Sequence, residues 1–96
     1  MFGKKKKAIN RVDFIVMSDD LDVFKLADKL LKGTPLVLNF EDYDIIEANK
    51  VITFLSGVTY AIDGEIEMIQ KQIFLFATKQ DYKDGSLRDF VKEYKE

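Results

Sequence analysis

The stretch Thr34-Pro35-Leu36-Val37-Leu38-Asn39-Phe40, residues 34–40, decides the fold class. A nearly continuous apolar run of this length is typical of a central strand that is covered on both faces. Pro35 stands at its start, where no ladder hydrogen bond requires a backbone N–H. Gly33 comes directly before the run and is expected to end a preceding helix. The run therefore predicts a sheet with helices packed on it.

The residues before this run indicate a strand followed by a helix. Residues 11–17, RVDFIVM, are rich in alternating β-branched and aromatic side chains, which predicts a half to fully buried strand. Ser18, Asp19 and Asp20 are the candidates for the N-cap of the helix. The apolar positions of that helix then recur at helical spacing, at Leu21, Phe24, Leu26 or Ala27, Leu30 and Leu31.

A second helix is predicted from about Ile45 to near Ile62, with Asp42 or Asp44 as its N-cap. Its apolar residues lie on several sides of the helix instead of in one stripe. A helix that is apolar almost all round is buried almost all round. Because one small sheet cannot cover such a helix in a chain of 96 residues, we predict a homodimer in which a second copy covers it.

The rest of the chain predicts a hairpin and a last helix. The turn signal Asp63-Gly64 precedes residues 65–69 and 73–77, which read as two antiparallel strands. After Asp84-Gly85, residues 86–94 are amphipathic. The sequence therefore predicts one small α/β domain, with a β-α-β-α-β-β core, two helices packed on one sheet and a short C-terminal helix. We place this domain at residues 12–96 and a basic tail at residues 1–11.

The composition disfavours catalysis. The chain contains no cysteine and no histidine, which removes disulfides, thiolate or imidazole metal ligands and histidine acid–base chemistry. The glycines are never closer than seven residues, so no dinucleotide or phosphate-binding loop is present. We therefore expect no catalytic residues, no cofactor and no metal site. No apolar run is long enough to span a bilayer, and we expect a cytoplasmic protein.

The charge is unevenly distributed. Lys4, Lys5, Lys6, Lys7 and Arg11 lie within the first eleven residues, which contain no acid; the remaining 85 residues hold 10 basic and 17 acidic side chains and so carry −7. An acidic body argues against a nucleic-acid platform. The lysine run is either a solvated tail or a contact for phosphates, of nucleic acid or of anionic lipid. With Phe2 beside it, the run predicts weak affinity for a membrane surface at best.

Two acidic clusters leave a second function open. Asp19-Asp20-Asp22 and Glu41-Asp42-Asp44 each precede a predicted helix. Such clusters either cap the helix and compensate its dipole or bind a hard cation such as Mg²⁺ or Ca²⁺. The alternative to the function described below is therefore a small-ligand or metal-binding regulatory domain.

Gly57 is the unusual residue of the second helix. Glycine inside a helix costs about 1 kcal/mol relative to alanine. The helix either ends at Gly57, is kinked there, or is approached closely by another element at the small patch formed with Ser56.

Several blocks of the sequence resemble the SepF family of cell-division proteins. Residues 33–40 (GTPLVLNF) are similar to the family segment G-x-P-V-V-V-N-L, and Ala48 with residues 51–57 (VITFLSG) to A-x-R-I-V-D-F-L-S-G. Residues 60–66 and 73–75 follow in the family's order and spacing. The resemblance covers about residues 12–77. Thr53 replaces the family aspartate, and Met68 stands where relatives usually carry a basic residue.

The resemblance implies an accessory protein that binds the C-terminal peptide of the tubulin-like FtsZ and aligns, bundles or tethers its filaments at the division site, on the inner face of the membrane. It implies FtsZ contacts at Ala48 and Phe74, and it places Met68 at the position of the family's basic FtsZ-binding residue. It implies homodimers and higher polymers, and the family glycine at subunit contacts falls on Gly57; its neighbours Phe54 and Ser56 on the same helix are predicted as further assembly contacts. The family's N-terminal membrane element would correspond here to Phe2, Lys4, Lys5, Lys6 and Lys7, although only about eleven residues precede the core.

The orientation of Phe74 is open at this point. Phe74 has the opposite parity to Ile73 and Leu75 on its strand. One of these two sets is therefore expected to face away from the core.

Overall fold

The computed structural model describes residues 6–95 and confirms the α/β class. A short 3-10 helix, Ala8–Arg11, comes first. The strands are β1 (Asp13–Val16), β2 (Leu36–Asn39), β3 (Gly64–Gln70) and β4 (Ile73–Thr78). The helices are α1 (Val23–Leu31), α2 (Ile45–Ala61), α3 (Lys79–Tyr82) and α4 (Ser86–Lys95). The single-turn helix α3 is an element that the sequence pattern does not predict.

The four strands form one sheet in the order β1-β2-β4-β3. β1 is parallel to β2, and β4 is antiparallel to both of its neighbours. Leu38 on β2 and Met68 on β3 both pair with Phe74 on β4. Because directly paired residues share a face of the sheet, these three side chains lie on the same side.

Both faces of the sheet are covered. Helices α1 and α2 cover one face, in a core that includes Leu36, Leu38, Leu55 and Phe76. The 3-10 helix, α3 and α4 cover the other face, in a second core of Ala8, Val37, Ile69, Ile73, Leu75, Ala77, Tyr82, Leu87 and Val91. The prediction that β2 is covered on both faces is confirmed.

The second core corrects the expectation for β4. Phe74 packs partly buried against the first core, while Ile73 and Leu75 are buried in the second. Neither set faces away from a core, because the C-terminal helices and the segment before β1 close the face that the expectation left open.

The strand β1 is less buried than predicted. Its side chains Phe14 and Val16 are 56% and 64% exposed. The reason is topological: β1 is an edge strand that pairs only with β2.

The helix boundaries follow the local sequence closely, with one correction. Asp44 caps α2 by accepting the Glu47 N–H at 3.0 Å, and the helix continues through Gly57, which excludes a helix end there. Helix α1 ends at Leu31, before Gly33 with its left-handed φ of 92°. The predicted N-cap of α1 is wrong, because Asp22, two residues beyond Asp20, accepts the Phe24 N–H at 2.9 Å.

Candidate functional site

The residues implied as FtsZ contacts lie on the α1–α2 face of the sheet, near the turn between β3 and β4. We call Ala48, Met68 and Phe74 the Phe74 surface. Phe74 and Met68 are paired across the β3–β4 ladder. Phe74 and Ala48 belong to the same hydrophobic core. The structure therefore brings all three residues to one region, although they are separated by up to 26 positions in the sequence.

The ring of Phe74 is held in place but is not fully enclosed. Its centroid lies 6.2 Å from that of Phe40 in an edge-to-face arrangement at 73°. Phe40 in turn packs against Tyr43, just before α2, at 5.8 Å. Aromatic pairs prefer this geometry, so Phe40 fixes the ring while Phe74 remains half-buried.

The other two residues of the Phe74 surface differ in accessibility. Ala48 is only 4% exposed and lies in the first half of α2, where its small side chain lets the helix approach the sheet. Met68 is 55% exposed on β3, which is an edge strand. An unbranched, polarisable methionine adapts its shape to an apolar partner but carries no charge. The Phe74 surface is therefore an apolar one.

The residues implied as assembly contacts all lie on α2, but they do not share one side of the helix. Gly57 is exposed, and a Cβ added to it would meet no atom within 4 Å among the described residues. Ile46, eleven residues earlier on the same side of the helix, is also exposed. Phe54 lies beside them and packs on Phe24 of α1, with the ring centroids 5.5 Å apart. We call Phe24, Ile46, Phe54 and Gly57 the outer α2 surface.

Ser56 does not belong to this surface. It is half-buried, and its hydroxyl donates to the carbonyl of Ile52 at 2.6 Å, one turn earlier in the helix. The structure thus places Phe54 and Gly57 on an accessible side of α2 but gives Ser56 an internal partner.

The residues implied as membrane contacts are described only in part. Phe2, Lys4 and Lys5 lie outside the described residues, while Lys6 and Lys7 are exposed. The chain is anchored directly after them, because the N–H of Ala8 donates to Asp84 at 2.8 Å and that of Ile9 donates to Ser86 at 3.0 Å. Residues 8–11, placed in the tail from the sequence, form the 3-10 helix.

Two groups beside this anchor have shifted pKa values. Hydrogen bonds from the N–H of Ser86, the N–H of Ala8 and the hydroxyl of Ser86 lower the pKa of Asp84 to about 2. Burial, and then the charges of Glu67 and Glu65, raise the pKa of Tyr82 well above its ordinary value. The Tyr82 hydroxyl is buried and has no hydrogen-bond partner within the part of the chain that the structure describes.

One residue of each acidic cluster caps a helix in the structure. Asp22 and Asp44, one from each cluster, accept backbone N–H groups at the starts of α1 and α2. Among residues 6–95, no three carboxylates are placed to share a metal ion. Over the same residues, no helix is both long enough and apolar enough to cross a lipid bilayer.

Phe24 and Leu31 lie on the surface of α1, which corrects the expectation that they belong to its apolar core stripe. Both are exposed, whereas Leu26, Ala27 and Leu30 are buried. The sequence spacing indicates this, because Phe24 and Leu31 are seven positions apart and residues seven apart share one side of a helix. At 3.6 residues per turn, this side of α1 is rotated about a quarter turn away from the side that carries Leu26, Ala27 and Leu30. Phe24 and Leu31 therefore lie beside the buried stripe and not within it.

Comparison with known proteins places the chain among division proteins. Residues 13–80 match the family model of the cell division protein SepF. The chain is similar to the cell division protein SepF of Carboxydothermus hydrogenoformans, with 39% identity over 69 residues that cover 72% of this chain and 50% of the relative. It is also 39% identical to that of Limosilactobacillus reuteri over 71 residues, which cover 74% and 51%. The SepF of Lactiplantibacillus plantarum is 43% identical over 65 residues, 68% of this chain and 46% of the relative. The chain thus spans about half the length of these relatives.

Proposed function

This chain belongs to the SepF family of cell division proteins, and we propose that it is a non-catalytic adaptor that binds the C-terminal peptide of FtsZ. In this function it aligns, bundles or tethers FtsZ filaments at the division site, on the cytoplasmic face of the membrane. The observation that supports the proposal is the Phe74 surface, an apolar patch that is exposed at Met68 and half-buried at Phe74 and lies at the positions that the family resemblance assigns to FtsZ contact.

The geometry of the Phe74 surface suits a short apolar peptide. Phe40 fixes the half-buried ring of Phe74, so little side-chain freedom is lost when a peptide covers it. Met68 lies on the edge strand β3, beside which a peptide can extend. Peptides commonly bind proteins either in an apolar groove or along the free edge of a sheet.

The replacement of the usual basic residue by Met68 changes how the peptide is recognised. A methionine contributes apolar contact where a lysine or arginine would pair with a carboxylate. We therefore expect the affinity to depend mainly on the apolar residues of the peptide. Since exposed ion pairs are screened by salt and apolar contacts are not, the affinity should change little with ionic strength.

We further propose that the chain forms a homodimer through the outer α2 surface and assembles into polymers. The exposed side chains of Ile46 and Phe54 leave apolar area uncovered, and Gly57 on the same side allows a close approach of a second helix. Weak membrane contact is assigned to the N-terminal residues Phe2 and Lys4 to Lys7.

The test is calorimetric titration of the purified chain with the FtsZ C-terminal peptide. Phe74→Ser should weaken binding by about thirtyfold, because truncating an aromatic anchor typically costs ~2 kcal/mol. Phe14→Ser is the matched control, since it removes another accessible phenylalanine from the opposite face of the sheet. The control should bind the peptide with wild-type affinity.

Wild-type affinity of Phe74→Ser, in a variant that still melts cooperatively, would contradict the proposed site. If Phe74→Ser unfolds, Met68→Ser tests the same surface, because an exposed side chain can be truncated without loss of the fold. A Met68→Ser variant that binds as the wild type does would then refute the role of this surface.

A further inference from the structure

A basic cavity lies where the N-terminal segment, the end of α1 and the turn between α3 and α4 meet. The cavity has a volume of about 490 Å³. Five of its lining side chains are cationic: Lys6, Lys7, Arg11, Lys32 and Lys83. Lys32 and Lys83 come from parts of the chain far from the N-terminal lysine run, and the fold brings them to it.

The two carboxylates of this cavity are already engaged. Asp81 forms an ion pair with Arg11. Asp84 accepts the N–H of Ala8 at 2.8 Å and both the N–H and the hydroxyl of Ser86, at 2.8 and 2.7 Å. Five cations and two carboxylates leave a net charge of +3 in the cavity, in a chain whose total is −2.

None of the four lysines forms a close ion pair within the described structure, although the charge of Lys7 acts on the nearby Asp84. Among residues 6–95, no carboxylate forms an ion pair with Lys6, Lys7, Lys32 or Lys83. Arg11 is held in position by the Gly33 carbonyl at 2.8 Å and by Asp81. A guanidinium has five N–H donors, so these two contacts leave donors for a further acceptor. Several positive charges that line one cavity attract an anion.

We propose that this cavity binds a phosphate group, carried by an anionic lipid headgroup or free in solution. The inference rests on the proposed function in one respect: a headgroup here would hold the domain against the membrane that the N-terminal residues contact. The volume is that of a site for a small ligand. The planar guanidinium of Arg11 and the ammonium groups of the lysines are the hydrogen-bond donors that phosphate oxygens prefer.

The experiment compares two charge-reversal variants of the full chain. Lys32→Glu with Lys83→Glu changes the cavity and leaves the N-terminal lysines in place. Lys25→Glu with Lys92→Glu is the matched control, since both lysines are exposed, lie outside the cavity and give the same change in net charge. Each protein is tested by cosedimentation with phosphatidylglycerol vesicles and with phosphatidylcholine vesicles. Inorganic phosphate is titrated separately while the amide NMR signals are followed.

We expect the cavity variant to lose affinity for phosphatidylglycerol vesicles by about tenfold or more, and the control by less than about threefold. Shifts of the Lys32 and Lys83 amides of the wild type on addition of inorganic phosphate, with no vesicle binding, support the cavity with free phosphate as its source. That result contradicts only the membrane contact of the proposed function. FtsZ-peptide affinity should be unchanged in both variants, which separates this cavity from the Phe74 surface.

The proposal is overturned if the two variants lose vesicle affinity equally and inorganic phosphate does not shift the Lys32 and Lys83 amides of the wild type, because net charge alone would then explain the binding. It is also overturned if the wild type binds neither vesicle nor phosphate at these residues.

Discussion

Alanine substitutions at two glycines should change the stability of the fold in opposite directions. A Cβ added to Gly64 would lie 2.6 Å from the carbonyl oxygen of Ala77, 2.7 Å from Cγ2 of Thr59 and 3.0 Å from the carbonyl oxygen of Thr59. Two of these three atoms are backbone, so they can move aside only if β4 or the end of α2 shifts. A Cβ added to Gly57 would meet nothing within 4 Å among the described residues.

The magnitudes follow from these surroundings. Overpacking against atoms that cannot rotate away costs about 1–3 kcal/mol, so Gly64→Ala should destabilise the fold by ~2 kcal/mol. Within a single chain, Gly57→Ala replaces glycine inside a helix at no steric cost, so it should stabilise the monomeric fold by up to ~1 kcal/mol. For a domain of this size, 1 kcal/mol corresponds to roughly 4–8 °C in Tm, so Gly64→Ala should melt roughly 8–16 °C below the wild type. Gly57→Ala should melt some degrees above it.

The assay is urea denaturation and thermal melting followed by circular dichroism, at one low protein concentration for all three proteins, at which light scattering shows a monomer. Each variant is the control for the other, since both make the same chemical change. A Gly64→Ala variant as stable as the wild type would refute the close approach of α2 and β4 at this position. A Gly57→Ala variant that is destabilised as a monomer would contradict the open space around Gly57 in the single chain.

Three further predictions concern assembly and the anchored N-terminal segment. Gly57→Lys should abolish the proposed homodimer, because a long charged side chain cannot enter a close helix contact; light scattering that gives an unchanged mass would contradict this. The pKa of Asp84 is lowered from 3.8 to about 2 in the fold, so its contribution to stability is present above about pH 4 and is lost as the pH falls towards 2. Wild type should thus lose more stability than Asp84→Asn over that range, and parallel losses in urea midpoint would disprove the anchoring role. Tyr82→Phe should leave stability unchanged or raise it by up to ~1 kcal/mol, because it removes a buried hydroxyl without a partner among the described residues; a loss above that size in urea melts would reveal a partner.

The sequence allowed the local features of the fold to be predicted, because short-range chemistry determines them. Asp44 caps α2 by accepting the N–H of Glu47, three residues later in the sequence. Gly33 follows the end of α1 with a positive φ that other residues rarely adopt. The strand β2 was recognised from its continuous apolar run, which is typical of a strand covered on both faces.

The features that were missed depend on contacts between distant parts of the chain. The bond from Ala8 to Asp84 joins residues 76 positions apart, and no local pattern indicates it. The same holds for the second core, which buries Ile73 and Leu75, and for the exposure of Phe14 on an edge strand. The pairing of Met68 with Phe74 could be anticipated from the hairpin, but Ala48 joins them only through the packing of α2 on the sheet.

The anchoring of the N-terminal segment also determines how the fold bears mechanical load. A pull on the residues before Ala8 acts first on the two backbone donors at Ala8 and Ile9, which are held by Asp84 and Ser86. The edge strand β1, paired only with β2 over four residues, lies behind this anchor along the chain. Tension from an N-terminal tether is therefore transferred first to Asp84 and Ser86, at the start of α4. It reaches β1 only after these hydrogen bonds break. A domain that is held at that end and bound to a filament at the Phe74 surface would be stretched across the sheet, and the anchor would protect the edge strand β1 from the force.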